Sequence, residues 1–246
     1  MQQLIEEFNS TQTIILISMS FGVAHCENNN KTSAEVFIEA DNTMYREKMK
    51  YKQSDGGAKI ESFMKVLEGR DYEKEGHSQR LIELSSKMAA EYHFSEKRTS
   101  ELKFLARYHD IGKIGISELI ILKVGPLSSD ERQEIQRHAE IGFNIAKSSR
   151  ELSNIAEFIL KHHEWWNGGG YPLCLHGETI PLESRIVSVL DAYDAMTKNR
   201  SYRKAMSHNE AMRELINGAG TQFDPNIVNK FASLFDDLSC SPCLIL

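Results

Sequence analysis

The sequence predicts a mainly α-helical protein with a small α/β piece at its N-terminal end. Three observations carry this. From Ile60 onward, successive helical segments follow one another, separated by short Gly, Ser and Pro punctuation. Thr32 with Glu35 and Ser128 with Glu131 have the Ser/Thr-x-x-Glu spacing of a helix-opening capping box. Near the start, residues 13–23 read as extended and β-rich, ending in Ser20-Phe21-Gly22-Val23.

Taken in order, that extended stretch is followed by a turn-like Asn28-Asn29-Asn30. Val36, Ala40, Met44 and Met49 then recur near the helical period. A strand, a turn and one amphipathic helix, in about fifty residues, cannot easily bury enough surface to stand alone. The polar stretch at 53–59, with Gly56-Gly57, makes a hinge, so the expected organisation is 1–52, a linker at 53–59, a helical domain at 60–238 and a tail at 239–246. Within the helical domain, Ser128 and Glu131 open a helix expected to run toward Lys147. The apolar run Ile186-Val187-Ser188-Val189-Leu190 has strand propensity, but its place in a helical series makes it helix.

Composition narrows the function classes. At 41% hydrophobic and 26% charged residues, the 246-residue chain is that of an ordinary globular protein. A net charge of -6 argues against broad binding to DNA phosphates. If the substrate is an anion, its positive partners must be local. The apolar run Ile14-Ile15-Leu16-Ile17 falls far short of the roughly 20 residues of a membrane span, and it lacks signal-peptide flanks. No membrane segment and a cytoplasmic setting are expected. Cys26, Cys174, Cys240 and Cys243 form no disulfide framework, and the lone C-x-x-C at 240–243 has no second pair to complete a zinc site.

Chemistry concentrates in the histidines. Five of the nine fall into four clusters that also carry carboxylates: Glu73 with His77, His109-Asp110, His138, and His162-His163, with Asp191 downstream. Glu73 and His77 are spaced i, i+4, which puts both on one helix face. Asp110 has two oxygens and can bridge two ions. A mixed imidazole and carboxylate set without cysteine favours Fe, Mn or a similar first-row ion over a structural zinc, and more than four ligands implies more than one ion. Two such ions lower the pKa of a shared water and clamp a phosphate ester. The isolated His25, His93, His176 and His208 are read as surface or core residues.

From about Ile60 to Leu238 the chain resembles the HD-GYP group of the HD phosphohydrolase superfamily. The matching stretches are Arg70-Asp71-x-Glu73-x-x-x-His77-Ser78-x-Arg80, His109-Asp110-Ile111-Gly112-Lys113, His138-x-Glu140-Ile141-Gly142, and His162-His163-Glu164 through Gly170-Tyr171-Pro172. They continue with Asp191-Ala192-Tyr193-Asp194-Ala195-Met196-Thr197, Arg200-x-Tyr202-Arg203 and Gly220-Thr221-x-Phe223-Asp224-Pro225. The 1–52 piece is similar to the C-terminal end of a GGDEF domain, through Ser20-Phe21-Gly22-Val23 and Ala40-Asp41-Asn42-Thr43-Met44-Tyr45. It lacks the signature loop, so no cyclase activity is expected.

The resemblance implies an HD-type helical bundle with metal ligands at His77, His109, Asp110, His138, His162, His163 and Asp191. Glu73 would help to hold a third ion, giving two or three divalent metals, Fe or Mn. It implies hydrolysis of cyclic di-GMP to linear pGpG, with GMP as a further product. His109, Asp110 and Lys113 would be catalytic, and Lys113, Arg200 and Arg203 would hold phosphate oxygens. The same ligands leave open another cyclic dinucleotide or nucleotide as substrate, or a non-catalytic module that binds cyclic di-GMP. The Gly-Tyr-Pro loop is a candidate contact for GGDEF-domain proteins, and a homodimer is a candidate assembly. Family members usually carry an acidic residue near Asn167 and an arginine near Trp165, so this loop departs from the pattern.

Overall fold

The computed structural model describes residues 76–199 and 204–236, together with Val36, Ala40, 60–62, Met64, Lys65 and Leu67. The chain divides into two compact units, Met1–Val66 and Leu67–Leu246. In the first unit Val36, Ala40, Ile60 and Met64 are helical, and Ile60 and Met64 are buried. The expected strand at 13–23 and the capping box of Thr32 and Glu35 lie outside the described residues.

The second unit is helical. Its elements are α1 (His77–Glu91), α2 (Glu96–Tyr108), a 3-10 turn (Ile111–Gly115), α3 (Glu118–Ile121), α4 (Ser129–Gln136) and α5 (His138–Ser148). After a short 3-10 turn (Ser153–Ile155) come α6 (Ala156–Leu160), α7 (Leu182–Thr197), α8 (His208–Gly218) and α9 (Pro225–Asp236). No strand occurs among the described residues, only the isolated bridges Asn167 to His176 and Ala219 to Phe223.

Local chemistry sets the helix starts. Ser95 accepts from the Arg98 N–H to open α2, and Ser207 with Glu210 forms a full capping box for α8. α9 begins with a proline at its first position, and the preceding Asp224 accepts from the Asn226 N–H. The Ser128 and Glu131 box opens α4 as expected. The helix does not continue unbroken toward Lys147, however. At Arg137 ψ relaxes to -16°, the Arg137 N–H bonds back to Glu134, and the Ile135 carbonyl accepts from the His138 imidazole. A side chain has taken a ladder carbonyl, and α5 restarts at His138. The 186–190 run is helical, within α7.

Helical periodicity explains how polar side chains reach the interior. α1 packs on α2 and α7. Its buried positions are His77, Leu81, Ser85, Met88 and Ala89, a single stripe at three- and four-residue spacing. His77 is therefore the end of the same stripe that buries Leu81 and Met88. α7 buries Glu183, Ser184, Ile186, Val187, Val189, Leu190 and Asp194, mixing acidic groups into an apolar face. Burial of each Leu or Ile contributes about 1.5–3 kcal/mol. That gain is what carries imidazoles and carboxylates out of water.

Candidate metal centre

The ligand residues sit mostly at helix ends. His77 and His138 are the first residues of α1 and α5, His109 caps the C-terminus of α2, and His162-His163 follow α6 after Lys161. Asp191 is the exception, in the body of α7. The last carbonyls of a helix have no intrahelical donor. Three of the histidines use this: the Nδ1 of His109 lies 3.0 Å from the Ala106 carbonyl, that of His138 2.6 Å from Ile135, and that of His162 2.6 Å from Ile159. A carbonyl only accepts, so each Nδ1 carries the proton. Each Nε2 then presents a lone pair to the interior.

Those lone pairs converge. Asp110, His138, His162 and His163 form one group, and His77, His109 and Asp191 another, with the ligand atoms of each group within 4.8 Å of one another. Asp110 joins the two groups. Its Oδ1 is 3.5 Å from His138 Nε2, and its Oδ2 is 3.5 Å from His109 Nε2. Asp191 Oδ1 stands 3.5 Å from His77 Nε2 and 3.9 Å from His109 Nε2. Lys113 Nζ lies 2.7 Å from Asp110 Oδ2, one short turn beyond the pair.

Two observations test whether cations fit here. The Nε2 atoms of His77 and His109 are buried and have no hydrogen-bond partner. The Nε2 atoms of His138 and His162 face one another at 3.4 Å, lone pair against lone pair. Buried acceptors arranged this way are costly unless a proton or a cation lies between them. A proton is disfavoured. Burial pushes His109 down to about 4 against the attraction of Asp110 and Asp191, and pushes His138 down to about 3. His162 is lowered for the same reason, and His163 is lowered by burial and by the neighbouring imidazoles. The imidazoles of His109, His138, His162 and His163 are therefore neutral at pH 7, the state that binds a metal. The donor set fits divalent cations, and Asp110 turns one oxygen toward each of the two groups.

The remaining wall of the site is the loop after α6. Tyr171 lays its ring 4.9 Å from that of His163, tilted by 30°, and burial raises its phenol. Glu164, which is 2% exposed, accepts from the backbone N–H groups of Leu173 and Leu175 at 2.6 and 2.8 Å. The loop returns so closely at Gly170 that a Cβ there would lie 2.3 Å from the Trp165 nitrogen. Trp165 is exposed, whereas Trp166 stacks under the Arg185 guanidinium. Asn167 accepts from the Gly169 N–H.

Seven of the expected ligands are thus brought together, with Lys113 beside them. Glu73, Arg200 and Arg203 lie outside the described residues. Reading the sequence for ligands passed over Asp194, Arg80 and Glu164. Asp194 Oδ2 accepts from His77 Nδ1 at 2.7 Å, and both its oxygens accept from the Arg80 guanidinium at 2.6 and 2.9 Å. Burial alone would raise its carboxyl, but the bonds from His77 and Arg80 outweigh that and bring it to about 2. The available signal was the i, i+3 pairing of Asp191 with Asp194 and of His77 with Arg80.

Residues 61–227 match the description of the HD domain. A cyclic di-GMP phosphodiesterase of Thermotoga maritima is 35% identical over 85% of this chain and 54% of its own length. A 3'3'-cGAMP-specific phosphodiesterase 2 of Vibrio cholerae is 33% identical over 70% of this chain and 33% of its own. The chain thus spans about half, or less, of the length of these curated relatives. A crystal structure of a cyclic GMP-AMP specific phosphodiesterase of V. cholerae shares the fold, with a TM-score of 0.53 at 22% identity over 65% of this chain and 44% of that one. The histidine-aspartate pair that joins the two donor groups lies inside the matched span, and the chain belongs to the HD domain family.

Proposed function

We propose that the chain is a metal-dependent phosphodiesterase that hydrolyses cyclic di-GMP to linear pGpG, and onward to GMP. The observation that carries this reading is the pair of donor groups joined by the two oxygens of Asp110, with buried ring nitrogens that have no partner of their own. The names and identities of the relatives support the substrate class. Divalent cations held there, Fe or Mn on the chemistry of the donors, would supply Lewis acidity to the phosphodiester and lower the pKa of a bound water.

The chain's own residues do the rest. Asp110 spans both groups and sets their separation. Lys113 holds one Asp110 oxygen, which keeps its ammonium charge beside the two donor groups, where it would stabilise a non-bridging phosphate oxygen. The backbone carbonyls of Ala106, Ile135 and Ile159 fix the imidazole tautomers, so no proton has to move before ligation. Tyr171 and the loop clasped by Glu164 wall the His163 side. Glu73 as a ligand for a third ion, and Arg200 and Arg203 as phosphate clamps, complete the proposed site. The 1–52 piece is proposed as the end of a GGDEF domain, with the Gly-Tyr-Pro loop as a contact for GGDEF partners in the cytoplasm. No described helix is long and apolar enough to cross a membrane.

Turnover of cyclic di-GMP by protein loaded anaerobically with Fe or Mn, with product analysis, tests the reading. The His109→Ala/Asp110→Ala variant is expected to stay folded and lose turnover; unchanged turnover would sink the site assignment. Faster hydrolysis of 3'3'-cGAMP than of cyclic di-GMP would move the substrate. Tight binding of cyclic di-GMP without cleavage would mark a regulatory module instead.

A further inference from the structure

The four imidazoles whose Nδ1 partners are known are not held alike. His109, His138 and His162 each donate to a backbone carbonyl three residues earlier, a neutral acceptor inside the same turn of chain. His77 donates to a carboxylate from a different helix, 117 positions away in sequence, at 2.7 Å. That carboxylate, Asp194, is 4% exposed and is itself gripped on both oxygens by Arg80. The geometry is a double cross-link between α1 and α7. His77 and Arg80 stand one turn apart on α1, and Asp191 and Asp194 one turn apart on α7. Asp191 faces His77 Nε2, and Asp194 faces His77 Nδ1.

We infer that Asp194 is a positioning residue for the cation held by His77, His109 and Asp191, acting through His77, with Arg80 fixing Asp194 in turn. This rests on the proposed metal centre and says which of its two groups depends on groups outside the ligand set. The Nδ1 of His77 is held from across the helix interface, by a side chain of α7 whose own position depends on Arg80. A flipped or re-tautomerised His77 would turn a protonated nitrogen toward Asp191 and away from ligation. The Asp194 carboxylate excludes that state, because it accepts from Nδ1 and cannot donate, and its charge makes Nε2 the stronger donor. Arg80 supplies the countercharge that lets the carboxylate stay ionised while buried. The Asp110, His138, His162 and His163 group has no described link of this kind, so loss of Asp194 is felt at one group and not the other.

The test is binding of Co²⁺ alone to the metal-free full chain, followed by visible absorption and calorimetry, with no substrate present. The wild type is expected to bind at least two equivalents, and His77→Ala identifies which binding event belongs to the His77 group. Asp194→Asn keeps the volume but removes the charge and one acceptor. It is expected to weaken that same event by about 10- to 100-fold while leaving the other within about threefold. Arg80→Gln, which keeps the carboxylate, is expected to weaken it less, and it serves as the test if Asp194→Asn does not fold. Equal weakening of both events would show that Asp194 only holds α1 to α7, and unchanged binding would show that it does nothing for the cation. Either result overturns this inference while leaving the metal centre intact. No Co²⁺ binding by the wild type would overturn both.

Discussion

Gly112, two residues beyond Asp110, is where the packing of the fold and the spacing of the metal centre meet. A Cβ at this position would lie 1.9 Å from the His138 carbonyl oxygen and 2.5 Å from the Gly142 nitrogen. A carbon and a carbonyl oxygen rest at about 3.3 Å or more. The 3-10 turn and α5 would therefore have to separate by about 1.4 Å. Overpacking costs about 1–3 kcal/mol when side chains can move aside. Here both obstructing groups are helix backbone, so Gly112→Ala is expected to cost at least about 3 kcal/mol, or about 6–12 °C in Tm for a unit of this size. Gly142→Ala is the internal control. Its Cβ would meet only the Ile159 side chain, at 2.9 Å, and the Gly112 backbone at 3.3 Å, so about 1 kcal/mol is expected. The same displacement would carry Asp110 Oδ1 away from His138 Nε2, now 3.5 Å apart, and weaken cation binding along with stability. Urea unfolding of both variants, with m unchanged, measures the difference. A Gly112→Ala variant that unfolds within about 0.5 kcal/mol of wild type, or that costs less than Gly142→Ala, would show that the two backbones separate freely.

Three further outcomes are expected. The metal-free protein should lose stability as pH falls from 7 to 5. His109 and His138 hold protons in the unfolded chain from about 6.5 but in the native state only near 4 and 3, so the unfolded state binds more protons across that window. Each contributes about 2 kcal/mol of loss by pH 5, and a flat urea-unfolding profile between pH 5 and 7 would refute it. Glu164→Gln leaves one oxygen where two backbone N–H groups each had their own, at a cost of about 1–3 kcal/mol. Hydrogen exchange at Leu173 and Leu175 should accelerate, and unchanged protection would show that the clasp does not hold the loop. Mn²⁺ at 100 times its Kd should stabilise the protein by about 2.7 kcal/mol. Chelator should reverse the shift in Tm, and His109→Ala/Asp110→Ala should abolish it; a shift that survives in the variant would place the cation elsewhere.

The candidate ligands were legible in the sequence because they differ chemically from their surroundings. An imidazole beside a carboxylate at 109–110 says little alone, but together with two imidazoles at 162–163 and the clusters at His77, His138 and Asp191 it is hard to explain otherwise. Capping at Ser128 with Glu131 was legible because both partners lie within four residues. The break at Arg137 was not, since it depends on a side chain competing for the Ile135 carbonyl, which propensity does not register. Asp194 was hidden for a different reason. Asp191 and Asp194 are the same residue type on the same helix, and only the register of α7 against α1 decides which faces the cation and which stands behind His77. Glu164, next to His162-His163 in the sequence, was not expected to have a part in the site, because its role is set by the return of its own loop, whose backbone N–H groups it accepts from.

The placement of histidines after helix C-termini carries a further consequence for how such a site tolerates change. The Nδ1 atoms of His109, His138 and His162 bond carbonyls at helix ends, so each imidazole caps a helix with one nitrogen and presents the other to the candidate metal centre. Removing His109 or His162 therefore takes a donor from a helix-end carbonyl and leaves a cavity in the fold, and removing His138 leaves a cavity beside an Ile135 carbonyl that keeps a backbone donor. His77 is different, because its Nδ1 partner is a charged side chain and not the end of a helix. Its replacement leaves the Arg80 and Asp194 pair still bonded to each other. Substitution at His77 should thus separate cation binding from folding more cleanly than substitution at the other three, which makes it the position at which the chemistry of the centre can be changed with least disturbance to the helices that build it.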